Sequence, residues 1–127
     1  AIIFYKQLFV IQTLEFSYII AKTQDIRIWS KLMSEEQKSD LFIQQIQNVL
    51  LHDWDPINIR KDASMQDEYD AYIADILDIL ENEQAAAAEI ADCLQAIEHD
   101  YMGLAKNPAR AEKAAGKIWQ YFEEFLA

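Results

Sequence analysis

Glycine and proline are scarce in this chain, with two of each in 127 residues. A β-rich fold turns often and spends both at its corners, so their scarcity beside many Ala, Leu, Glu and Gln favours long helices. The shortage also removes chemistry. With Gly103 and Gly116 alone no phosphate-cradling loop can be built, and no Walker loop, dinucleotide glycine fingerprint or G-x-S-x-G elbow is written in the sequence. Cysteine occurs once, at Cys93, which excludes an intramolecular disulfide and gives no sign of an oxidising compartment. Its place on the apolar side of a predicted helix suits a buried, inert thiol. Histidine occurs twice, at His52 and His99, with no H-E-x-x-H or Cys/His ligand spacing. His99 falls near a predicted helix C-terminus, where a partly positive imidazole is favoured without any catalytic role.

Positive charge is the other shortage. Eleven Lys and Arg stand against twenty-two Asp and Glu, a net charge of −11. Phosphate affinity needs clustered Lys and Arg, so this balance argues against direct nucleic-acid binding and against anionic membrane surfaces. It is compatible with a basic protein partner, although an acidic surface kept for solubility alone is the simpler reading.

What is present is ordinary for one folded domain: 52% hydrophobic and 26% charged residues, enough for a single core. The chain changes character at Met33. Residues 1–32 hold four basic and two acidic residues, net +2, whereas the remaining 95 hold seven and twenty, net −13. The first 21 residues are apolar, but Lys6, Gln7, Gln12, Thr13, Glu15 and Ser17 interrupt them too often for a membrane span or a signal-peptide core. Thr13 to Tyr18 alternates as a short strand would, yet no turn separates it from the Ile2–Tyr5 run. Two expectations follow for residues 1–32: an apolar N-terminal arm lying on the body or on a second copy, or a non-native extension ahead of a start at Met33. The helical domain is expected over 33–127.

From Ser34 the signals are regular and predict an all-α, four-helix body. Ser34 with Gln37 forms a capping box, and Leu41, Phe42, Ile46, Val49 and Leu50 recur at helical spacing, which predicts a helix over 35–52. It should end before Pro56, since the residue ahead of a proline is pushed out of the α region. Asp62 or Ser64 can cap a second helix over 66–81. Tyr69, Tyr72, Ile73, Ile76, Leu77, Ile79 and Leu80 share one sector of it, and Asp67, Asp70, Asp75 and Asp78 lie opposite as a solvated acidic stripe. A third helix is expected over 83–102, with Ala85–Ala88 allowing a close neighbour and Ile90, Leu94, Ile97 and Tyr101 inward; Gly103 ends it in the left-handed conformation. Asn107 and Pro108 supply a cap and first-turn proline for a fourth helix over 108–126, with Ile118, Phe122, Phe125 and Leu126 inward and Trp119 at the edge.

Few residues suggest chemistry. Asp53, Asp55, Asp67, Glu68 and Asp70 make an acidic cluster of the oxygen-rich kind that a hard cation uses, but the EF-hand order is absent. Asp55 before a proline suits a side-chain cap, and Asp67 and Glu68 suit a helix start. No metal site and no cofactor are assigned. Trp54 could close the core as a lid or stand exposed as an anchor, and core is the expectation for it and most of the other aromatics.

Two runs, Asp53-Trp54-Asp55-Pro56-Ile57 and Gln66-Asp67-Glu68-Tyr69-Asp70-Ala71-Tyr72, together resemble a family of small, functionally uncharacterised bacterial helical proteins, and Met102-Gly103-Leu104 resembles its third landmark. The likeness covers about Ser34 to Leu126. Where such families commonly place glycine after W-D-P-I, this chain has Asn58, which also tolerates a left-handed turn. The resemblance implies a helical fold and no activity; in size and acidity such proteins are similar to immunity proteins that neutralise bacterial toxins.

The sequence therefore leads to a non-enzymatic interaction protein of the bacterial cytoplasm, immunity- or antitoxin-like, with Asp53, Asp55, Asp67, Asp70, Asp75 and Asp78 facing a basic protein partner. A small-ligand or divalent-metal module with a pocket at Trp54, Asp55, Asp67, Glu68 and Tyr69 is the alternative. A monomer, or a homodimer built through the N-terminal arm, completes the range.

Overall fold

The computed structural model describes residues 34–127, and the expectations for residues 1–32 lie outside them. All regular structure among the described residues is helical.

Helix α1 (Glu35–Val49) starts as its capping box dictates. Ser34 Oγ accepts the Gln37 N–H at 3.2 Å, and Gln37 Oε1 accepts the Ser34 N–H at 3.0 Å. Phe42, Ile46 and Val49 bury its inner face, while Leu41, expected among them, is 40% exposed. Winding does not stop at 52. It continues through Leu50–Trp54 as one wide turn, closed by the Asp55 N–H donating to the Leu50 carbonyl at 2.9 Å. Leu50, Leu51 and Trp54 are all buried by it.

The helix expected over 66–81 is α only in its second half, α2 (Ile73–Leu80). Before it come two short 3₁₀ turns, Ala63–Met65 and Asp70–Tyr72. The Asp62 side chain accepts the Ser64 N–H at 3.0 Å and so caps the first turn rather than a long helix. The tighter winding leaves Tyr69 at φ −93°, ψ 1°, with its ring buried beside Trp54. The inward and outward sectors of the wheel survive: Ile73, Ile76, Leu77 and Leu80 are buried, and Asp67, Asp75 and Asp78 are exposed.

Helix α3 (Ala87–Ala96) begins four residues later than expected. The Asn82 side chain accepts the Gln84 N–H at 2.9 Å, giving that backbone a turn instead of a helix. α3 also ends in a wide turn, Ile97–Tyr101, closed by the Met102 N–H on the Ile97 carbonyl at 3.1 Å. A wider turn advances each residue through a smaller angle. Tyr101 therefore lags out of the inward sector and is 79% exposed, against expectation, while Glu98 swings inside. Gly103, at φ +67°, stops the chain as expected, and the Leu104 N–H reaches back to the Glu98 carbonyl at 2.8 Å.

Helix α4 (Pro108–Leu126) matches its prediction, with Asn107 Oδ1 accepting the Arg110 N–H at 3.2 Å. The helices pack in the ring α1–α4–α3–α2, and α2 also touches α1. The most extensive contact is α3 on α4. The small residues that the bundle buries are Ala91 of α3 and Ala111, Ala114 and Ala115 of α4, whereas Ala85–Ala88 are half-buried or exposed. At the other end of α4, Phe42 lies near-parallel to Phe125 with centroids 5.2 Å apart, and Leu126 is 53% exposed.

Candidate functional site

Trp54 and Asp55 of the first sequence run and Tyr69 and Tyr72 of the second come together beside the wide turns that end α1 and α3. Trp54 ends one turn and Glu98 lies in the other. Neither has measurable exposure, and the Trp54 indole N–H donates to Glu98 Oε1 at 2.8 Å. The second carboxylate oxygen accepts the Asn107 N–H, also at 2.8 Å, and so ties the start of α4 to the same point. Arg110 Nη2 stands 3.4 Å from Oε1. Its Nε is buried without a hydrogen bond, which makes the guanidinium the least satisfied member of the group.

The indole is enclosed by aromatics. Tyr69 tilts against it at 5.3 Å between centroids, and Tyr72 meets it edge-on at 5.9 Å. Tyr69 then carries the connection to the loop. Its hydroxyl donates to Asp55 Oδ1 at 2.8 Å and accepts the Ile57 N–H at 3.2 Å. Asp55 itself accepts the Ile59 N–H at 2.8 Å and the Arg60 N–H at 3.2 Å. These bonds hold Asp55 in the left-handed region at φ +32°, and Asn58 follows at φ +58°, the conformation expected of a residue standing in for glycine.

The electrostatics follow the bonds. Burial by itself would raise the Asp55 pKa, but the Ile59, Tyr69 and Arg60 donors and the Arg60 charge outweigh it, and the net value lies below the usual 3.8. Burial raises the Tyr69 hydroxyl well above its ordinary range; the Ile57 N–H opposes this and the Asp55 carboxylate adds to it. Burial, with the charge of Asp75, also raises the Cys93 thiol, which is half-buried.

Of the residues expected to line a ligand pocket, Trp54, Asp55 and Tyr69 thus meet in one hydrogen-bonded cluster whose polar atoms are engaged with the chain itself. Asp67 and Glu68 are exposed and stand outside that cluster. Among the described residues no three His, Cys, Asp or Glu side chains converge as a metal-ligand set.

The acids expected to meet a partner divide as well. Asp53 pairs with Lys117 at 2.8 Å, Asp55 holds its loop, and Asp70 accepts the Gln47 amide at 2.9 Å and 3.1 Å. Asp67, Asp75 and Asp78 face solvent. They belong to a larger feature that their helix pattern alone does not reveal. Residues 62–105 carry twelve Asp and Glu without a single Lys or Arg, and nine of those acids are exposed. Every basic residue of the described body lies on either side of this stretch: Lys38, Arg60 and Lys61 before it, Lys106, Arg110, Lys113 and Lys117 after it. Among the described residues, the α2–α3 stretch therefore contributes acidic charge and no Lys or Arg, and its signal in the sequence is the gap between Lys61 and Lys106. Glu98 was missed for another reason, because a helical wheel places it outside the apolar sector.

No family model, no curated protein and no solved structure matches the chain.

Proposed function

We propose that the helical body is a non-enzymatic interaction domain whose acidic α2–α3 side binds a basic protein surface, in the manner of an immunity or antitoxin protein of the bacterial cytoplasm. The observation that carries this reading is the run 62–105, where exposed carboxylates occur with no cation among them. A stretch that presents nine exposed carboxylates and contributes no Lys or Arg of its own carries a net negative field, so it raises the rate at which an oppositely charged partner arrives and disfavours partners of like charge. The non-enzymatic part rests on Trp54, Asp55, Tyr69 and Glu98, whose polar groups are bonded within the fold.

Affinity capture of the tagged full chain from an extract of its source cells at low salt tests the proposal. A basic protein retained in stoichiometric amount and released by salt is the expected result. An eluate with no basic protein, or one whose retention is indifferent to salt, contradicts it.

A further inference from the structure

We draw no further inference here: the strongest candidate, the surface groove of about 290 Å³ lined by Ala87, Ala88, Ala91, Asp92 and Gln95 of α3 and Glu112 of α4, is a stripe of small residues rimmed by carboxylates, and nothing in the structure shows what covers it.

Discussion

A carboxylate with no contact with water is costly unless its charge and lone pairs are met, and Glu98 meets that demand with donors from three places. This makes the Trp54–Glu98 bond a sensitive point. Trp54→Phe keeps an aromatic ring in place but removes the indole N–H, so Glu98 is left short of a donor; the expected loss is about 2 kcal/mol in urea unfolding. Glu98→Ala removes the carboxylate and strands the indole and the Arg110 guanidinium, with an expected loss of about 3–5 kcal/mol. If the two groups act as one unit, the double variant loses less than the sum of the single variants. Strict additivity would mean that the bond carries no stability of its own. Asp55 has a pH signature instead. Its pKa is lowered in the fold, so its contribution is fully present above the ordinary carboxylate value and is lost as pH falls through the folded one. In Asp55→Asn that contribution is missing, so the stability gap between wild type and variant should be widest near neutrality and close in acid. A gap that stays constant with pH would show that Asp55 acts only as a hydrogen-bonding shape.

At the scale of elements, what could be read from the sequence was whatever is written in neighbouring residues. The α1 start and the whole of α4 follow from local caps, Ser34 with Gln37 and Asn107 with Pro108. The second helix differs from its sequence pattern because a wheel drawn at 100° per residue fits Tyr69 and Tyr72 as well as Ile73, whereas the chain uses 3₁₀ turns to bring Tyr69 against Trp54. The wide turns escaped for the same reason. They bring together Trp54 and Glu98, residues 44 positions apart, and no local pattern records that contact. Those turns place Glu98 inside and Tyr101 outside, reversing the wheel. The two glycines test element ends and interiors separately. A Cβ at either one would meet no atom within 4 Å, so backbone conformation alone decides the outcome. Gly103→Ala, at φ +67°, should cost about 1 kcal/mol, and Gly116→Ala within α4 should gain about 0.5–1 kcal/mol. Thermal unfolding of the two variants should shift in opposite directions. A shift of the same sign in both would refute this account of the α3 terminus.

For the whole molecule, charge layout matters more than any one acid. The helix pattern found Asp67, Asp75 and Asp78 on the solvent side, but it could not show that Asp53 is taken by Lys117, 64 residues away, or that Gln47 occupies Asp70. Those pairings remove Asp53 and Asp70 from the open surface without making α2–α3 less acidic, because the exposed carboxylates of residues 62–105 remain. Salt should act on this surface more strongly than on the packed Trp54 cluster, since the Debye length falls from ~10 Å at 0.1 M to ~3 Å at 1 M. Neutralising exposed acids there should leave the fold in place, as these side chains lie outside the core.

The most direct test uses the protein captured at low salt and compares its affinity for the wild-type chain with that for a variant carrying Asp67→Asn, Asp75→Asn and Glu89→Gln, across a salt series. These three side chains are exposed, so circular dichroism should be unchanged, and the melting temperature should fall only by the small amount that the first-turn charges of Asp75 and Glu89 contribute to α2 and α3. The proposal predicts that the wild type binds more tightly at low salt, that its advantage shrinks as salt rises, and that the variant shows a shallower salt dependence. Equal affinity of the two proteins at low salt, with both folded, would contradict the acidic side as the binding surface.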